Sequence, residues 1–523
     1  MANCDSDFVP DSDTTSTLSD DSSFLFMLEK DFMFGQSDST TDNNSSIDDS
    51  SVADSSIDDS SIDDSSVDDR SITNDEYAEL VITTYDMMDQ YIYENIISMS
   101  SPHFYTKMIG HITEILYTDM CCSSTLDIQC SQCNSCDCIC DGEYNSVNDE
   151  VKEFIEQTLD IWKDIVQIPH RSTTSHTNDI VMKTPNEMTI MTNLIDALQT
   201  IEQPAQKTRE WYNFRYQLIT ASNLWKVFGT QSQINSLIYE KCKPIDLDLH
   251  VSHNVYTEGP MHWGVKYEPV TVMLYEHIYN TRVGEFGCIP HPRYSYIGAS
   301  PDGINIDIQS NRYGRMLEIK NIVNREITGI PKEEYWIQTQ IQMETCDLDE
   351  CDFVETRIKE YENEEVFYGD NTREYRGVML QFIERPPLLI TEDTQLANKP
   401  YYVYMPITNS LDKQSVMAWI TEQRNVMLTE NKVLFSQKYW FLDEISCVLI
   451  QRNREWFAAA VPLIQDVWNT ILKERVDGYE HRASKKRQVK DRSMSNLSDD
   501  GTRKPNEAFC FIRLDENGDV YHH

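Results

Sequence analysis

Pro301-Asp302 stands sixteen residues ahead of Glu318-Ile319-Lys320, and the intervening stretch reads as strand, polar turn and strand. Ile304, Ile306 and Ile308 alternate, while Asn311 and Gly314 mark the reversal. A hairpin of this kind brings Asp302 beside Glu318. Side chains alternate faces along a strand, so Glu318 and Lys320 point the same way and Ile319 points into the core. Two carboxylates and a lysine then share one face, a set suited to surrounding a metal ion.

The chain has 523 residues and 40% apolar content, enough for about two to four domains with at least one large core. Its net charge of -43 is concentrated at the front: residues 1–150 hold 33 acidic and 3 basic side chains, the remainder 54 and 41. The overall acidity is therefore a poor argument against nucleic-acid binding by the later part, where local basic clusters decide contact. No run of about 18 apolar residues is present, so no membrane span is expected. The first thirty residues lack the basic start and apolar stretch of a secretory signal. A soluble, intracellular protein is expected, of open compartment, with its 14 cysteines as thiols or metal ligands rather than disulfides.

Four regions follow from composition. Residues 1–75 form an acidic Ser/Asp-rich tail, with five variants of Ser-Ser-Ile-Asp-Asp between 45 and 69, and are expected to be disordered. An apolar island from Phe24 to Phe34 within it could dock on a partner as a short helix. Residues 76–206 read as a helical extension carrying a cysteine-rich insert at 121–140. There Cys130, Cys133 and Cys136 stand three apart with Cys138 close behind. That spacing suits zinc or an iron–sulfur cluster, but no second pair closes the site, and a reduced, variable insert is the competing reading. A compact domain of alternating helix and strand spans 207–474, with strands read at Cys351 to Ile358, Gly377 to Phe382 and Tyr401 to Tyr404, and a helix from Val416 to Met427. Residues 475–523 are a basic, then polar tail, either solvated or an import or DNA-contacting arm.

Five ordered segments carry a family resemblance: Lys207-Thr208-Arg209-Glu210-Trp211-Tyr212-Asn213-Phe214-Arg215 with Thr220-Ala221-Ser222-Asn223; Trp263-Gly264 with Glu268-Pro269; Ser300-Pro301-Asp302-Gly303; Leu317-Glu318-Ile319-Lys320; and Tyr335-Trp336-Ile337-Gln338-Thr339-Gln340. In this order they resemble the YqaJ-like viral recombinase nucleases, relatives of phage lambda exonuclease, of the type found in large DNA viruses. The resemblance implies an α/β fold with a PD-(D/E)xK restriction-endonuclease-like core, a mixed central sheet flanked by helices. It implies a magnesium-dependent exonuclease, with manganese as a substitute, digesting linear duplex DNA 5′-to-3′ in recombination, replication or repair. A single-strand annealing recombinase and a homo-oligomer are the partners it suggests beside double-stranded DNA ends. About 200 residues precede the matched region, so the ring-shaped trimers of the family are not carried over.

Each segment also has a chemical reading. Phosphodiester hydrolysis needs an activated water and charge neutralisation on the phosphate, which magnesium supplies through hard oxygen ligands. Asp302, Glu318 and the carbonyl of Ile319 are the candidate ligands, and the family counterpart of Glu268 completes the cage from its helix. Lys320 can orient the attacking water or stabilise developing negative charge. Tyr335, Gln338 and Gln342 share a helix face while Ile337 and Ile341 face the core, so Gln338 can hold the lysine or the water. Gln340 points elsewhere and reads as structural. Ser222 is expected at a helix N-cap, and with Arg215 it forms a phosphate pocket that by resemblance anchors the DNA 5′ phosphate. Thr220 and Tyr335 support these two groups. Trp211, Tyr212 and Trp225 either stack on unpaired bases or belong to the core. Two rivals stand: an endonuclease of other polarity or substrate, and a non-cutting nuclease fold regulated by its acidic tail.

Overall fold

Capping chemistry starts the first helix of the computed structural model, which describes residues 73–123, 141–166, 168–172, 183–204, 208–245, 260–385 and 400–483. The Ser/Asp tail before Thr73, Cys130, Cys133, Cys136 and Cys138, Lys207, and the basic run beyond residue 483 lie outside the described residues. In α1 (Asn74–Asn95) the hydroxyl of Thr73 accepts from the Glu76 N–H, and the Glu76 carboxylate accepts from the Thr73 N–H. Then come α2 (Phe104–Ser123), α3 (Asp141–Val166) and α4 (Pro185–Thr200), the last repeating the same device with Thr184 and Glu187.

Apolar residues three and four apart give these helices buried stripes, among them Met88 and Ile92, Met108 and Ile112, Ile155 and Leu159, Ile195 and Leu198. The stripes join Trp336, Ile337, Ile341, Trp456 and Ile464 of the later chain in one continuous core. Polar ties cross the same boundary. Ser100 Oγ donates to Glu333 Oε1 at 3.0 Å, Trp456 Nε1 to the Ile97 carbonyl at 3.3 Å, and Asn453 Nδ2 to the Pro169 carbonyl at 2.9 Å.

Two short helices, α5 (Arg209–Tyr216) and α6 (Ala221–Leu224), flank β1 (Ile219–Thr220), and α7 (Gln231–Cys242) follows. Next are α8 (Pro260–Tyr279), β2 (Val283–Gly284), β3 (Ile289–Pro290), β4 (Ile297–Ala299), β5 (Gly303–Asn305) and β6 (Met316–Asn321). The chain continues with α9 (Glu333–Cys346), β7 (Glu350–Glu360), α10 (Glu364–Gly369), β8 (Arg376–Glu384), β9 (Tyr401–Tyr404), α11 (Lys413–Thr429), β10 (Lys432–Gln451) and α12 (Arg454–Asp477). A small sheet has the order β1-β4-β3, and a seven-stranded sheet the order β2-β5-β6-β7-β10-β8-β9. In the larger sheet β6 and β7 run parallel and the other pairs antiparallel, so it is mixed.

The 20-residue β10 changes partner along its length. It pairs with β8 from Lys432 to Phe441 and with β7 from Trp440 to Gln451, with register irregularities at Phe435 and Asp443. Helix α8 covers one face, where Leu317, Ile319 and Val354 meet Tyr275. Helix α9 covers the other, with Trp336, Ile337 and Ile341 in the core that holds Met316 and Phe353. The expected α/β architecture, a mixed sheet between helices, is what the chain forms. Among the described residues no helix is long and apolar enough to cross a membrane.

The turn between β5 and β6 is held by buried charge. Arg312 and Arg315 both reach Asp352 on β7, Arg315 Nε also meets Glu350 at 3.0 Å, and the Tyr275 hydroxyl donates to Asp352 Oδ2 at 2.5 Å. Asp352 is 1% exposed. Removing one partner of a buried pair strands the others, at about 3–5 kcal/mol. Asp352→Ala is therefore expected to lower unfolding stability by roughly that amount. Urea titration checks it, and a loss below about 1 kcal/mol would mean the network tolerates the gap.

Candidate active site

The hairpin forms with Gly303 opposite Leu317 and Ile304 opposite Met316, and the Asp302 N–H donates to the Leu317 carbonyl at 3.1 Å. Asp302 Oδ2 in turn accepts from the Ile319 N–H at 2.7 Å, which fixes the aspartate against β6. Gly303 permits the close strand approach: a Cβ there would strike Val283 Cγ1. The strand ends earlier than the alternation suggests. Asn305 is buried and bonded to Thr281, to the Tyr275 hydroxyl and to the Arg315 carbonyl, and the chain then turns away, leaving Ile308 57% exposed.

Glu318 and Lys320 share a face, and their charged ends are in direct contact. Glu318 is 1% exposed. Its Oε1 also accepts from Gln338 Nε2 at 2.7 Å, and its Oε2 from Gln342 Nε2 at 2.8 Å. Gln342 donates to the Ser300 carbonyl as well, at 3.1 Å, while its own Oε1 is buried without a hydrogen-bond partner. Lys320 Nζ lies 4.9 Å from the centre of the Tyr335 ring. Gln340, two residues from both and so turned to the other side of the helix, donates to the Gln451 carbonyl at 3.0 Å and accepts from the Asn453 N–H at 2.7 Å, so its work is structural.

Glu268 comes from α8, which Lys266 and Tyr267 anchor to Glu360 on β7 at 2.5 and 2.7 Å. Electrostatics join the three carboxylates. Asp302 is held well above the ordinary carboxylate range by burial and then by Glu318. Glu268, although exposed as a residue, is also raised, first by loss of solvation at its carboxyl end and then by Glu318. Burial works to lower the Lys320 pKa, but Glu318 and Asp302 outweigh it and hold the ammonium above its usual value.

Among the described residues no three His, Cys, Asp or Glu side chains converge as they stand to hold a cation. Both oxygens of Glu318 are engaged, by Lys320, Gln338 and Gln342. The donor set nevertheless fits a hard divalent ion. Three carboxylates repelling one another gain from a positive charge among them.

The second group lies on α5, β1 and α6. Thr220, rather than Ser222, is the N-cap residue of α6; Ser222 sits inside the first turn and is exposed. The reason is β1, whose pairing of Thr220 with Gly298 keeps that residue extended until the helix begins. Thr220 Oγ1 and Ser222 Oγ are 3.2 Å apart. Arg215 lies with its guanidinium 4.6 Å from the centre of the Trp211 ring, and no hydrogen bond joins it to Ser222. Buried Lys241, its pKa lowered by burial to about 8, donates to the Arg215 carbonyl at 3.0 Å and pins the end of α5. Trp211, Tyr212 and Trp225 are half-buried, and Trp225 packs against the main core. Sequence reasoning missed Glu355 and Arg325 near Lys320; the alternation Phe353, Glu355, Arg357 along β7 was the available signal.

The YqaJ-like viral recombinase domain model matches residues 210–349, which contain every residue of these two groups. An uncharacterized protein of Acanthamoeba polyphaga mimivirus is 30% identical over 305 residues, 53% of this chain and 54% of the relative. The chain thus spans about half the length of the curated relative it matches. Among solved structures, the alkaline exonuclease LHK-Exo of Laribacter hongkongensis is 18% identical, covering 51% of this chain and 94% of that one, with a TM-score of 0.29. A phage-related exonuclease of Haemophilus somnus is 15% identical, covering 49% and 96%, with a TM-score of 0.24. Residues 210–349, with their hairpin, helix-borne glutamate and glutamine helix, are thus the part of the chain that matches the YqaJ-like viral recombinase domain.

Proposed function

We propose that the chain is a metal-dependent deoxyribonuclease, acting as a 5′-to-3′ exonuclease on linear duplex DNA in recombination, replication or repair. The observation that carries this reading is the meeting of Asp302, Glu318 and Lys320 on one hairpin, faced by Gln338 and Gln342 and coupled to Glu268. Glu268, Asp302, Glu318 and the Ile319 carbonyl would hold magnesium, or manganese in its place. The bound ion supplies charge neutralisation at the phosphate and a more acidic water. Gln338 and Gln342 orient the Glu318 carboxylate. Lys320, kept as an ammonium by Glu318 and Asp302, offers its positive charge to the phosphate as negative charge grows on it.

Arg215 and Ser222, supported by Thr220, are proposed to bind the 5′ phosphate of a DNA end and so give direction. This feature favours an exonuclease over an endonuclease. An annealing recombinase and further copies of the chain are the protein partners this reading suggests.

The test is degradation of a blunt linear duplex, with and without a 5′ phosphate, by the full chain and by Asp302→Ala in magnesium. The parent is expected to shorten strands from the phosphorylated 5′ end, and the variant to be at least about 100-fold slower. Equal rates for parent and variant would remove Asp302 from the site. No cleavage by the parent at any end would sink the nuclease reading.

A further inference from the structure

Beside Lys320 lies a second cation with its own buried support. β6 and β7 run parallel with Lys320 opposite Glu355, so both side chains leave the sheet on the face that carries Glu318. Glu355 is 1% exposed, contacts the guanidinium of Arg325 through Oε1, and leaves Oε2 buried with no hydrogen-bond partner. Arg325 comes from the connection between β6 and α9. Its carbonyl accepts from Arg357 Nη2 at 2.6 Å, its Nη1 donates to the Glu326 carbonyl at 3.2 Å, and its side chain remains 25% exposed. Its guanidinium is 5.8 Å from the centre of the Tyr335 ring, the ring that Lys320 also meets.

A buried ion pair with one oxygen unsatisfied is a poor source of stability, because the desolvation of Glu355 is only partly offset. What the pair does achieve is placement. It fixes a guanidinium, a fork that matches phosphate oxygens, at the solvent-facing margin of the face where Lys320 sits. We infer that Arg325 binds a backbone phosphate of the DNA strand next to the phosphate being cut, and that Glu355 is its positioning residue. This rests on the nuclease reading, and deepens it by assigning a contact outside the metal ligands and outside the Arg215 and Ser222 group.

The experiment measures duplex affinity against salt for the full chain in an Asp302→Ala background, so that DNA is bound and not consumed. Arg325→Gln is expected to weaken binding about 10-fold and to reduce the magnitude of the salt slope by about one. Glu355→Gln weakens binding severalfold when Arg325 is present and has no further effect once Arg325 is glutamine, a non-additivity that a merely structural role would not produce. An unchanged salt slope in Arg325→Gln overturns the assignment, as does full additivity of the two changes. Should Arg325→Gln fail to fold, Arg325→Lys carries the test: lower affinity at an unchanged slope is expected, and parental affinity overturns it. Cleavage by the parent together with unaltered duplex affinity and salt slope in Arg325→Gln defeats this inference alone, whereas a parent that neither binds nor cuts duplex DNA defeats the nuclease reading beneath it.

Discussion

A chain trimmed to begin at residue 207 is expected to lose its cooperative fold, even though every residue of the candidate site survives the cut. The trimmed segment supplies Met88, Ile92, Met99, Phe104, Met108 and Trp162 to the same core that holds Trp336 and Trp456. Each large apolar side chain taken from its cover loses about 1.5–3 kcal/mol of burial, and several such losses exceed the roughly 5–15 kcal/mol that holds a domain together. The extension also supports the site at two points. Ser100 and Arg171 reach Glu333 and the Pro331 carbonyl where α9 begins. Met191 packs over Gly314, whose φ of +83° makes the β5–β6 turn, and the Tyr313 hydroxyl donates to Thr192 at 2.9 Å. Far-ultraviolet circular dichroism with urea unfolding of the trimmed chain is the check. A sharp transition at the parental midpoint would show that the extension is an appendage.

Lys320→Met is expected to cut cleavage about 1,000-fold at saturating DNA while leaving duplex binding within a few-fold. The same change strands Glu318, which is 1% exposed and loses its only cationic contact among the described residues. Stability should fall by about 3–5 kcal/mol unless the carboxyl takes up a proton in compensation. The two effects are separable by measuring single-turnover cleavage well below the melting temperature and unfolding independently. A variant that cuts within tenfold of the parent would show that the ammonium serves folding and not the reaction.

Much of the domain was legible because periodic sequence reports directly on local geometry. The strands read at Cys351 to Ile358, Gly377 to Phe382 and Tyr401 to Tyr404 lie within β7, β8 and β9, and the helix from Val416 to Met427 lies within α11. The same signal misled where a partner was missing. Ile306 and Ile308 continue the alternation of Ile304, but no neighbouring strand extends that far, so the chain leaves the sheet after Asn305. Ser222 has the chemistry of a cap, yet the pairing of β1 with β4 gives that position to Thr220.

By itself, then, the sequence determined the order of the motifs, the α/β class, and the shared face of Glu318 and Lys320, since a period of two or of 3.6 is a property of the backbone. Only tertiary structure decided that Gln342 bonds Glu318, that Glu355 holds Arg325, that β10 exchanges β8 for β7, and that the helical extension shares one core with α9 and α12. Those are contacts between residues far apart in the chain. A sequence period states which face of an element is apolar or charged, and leaves open which other element will meet it.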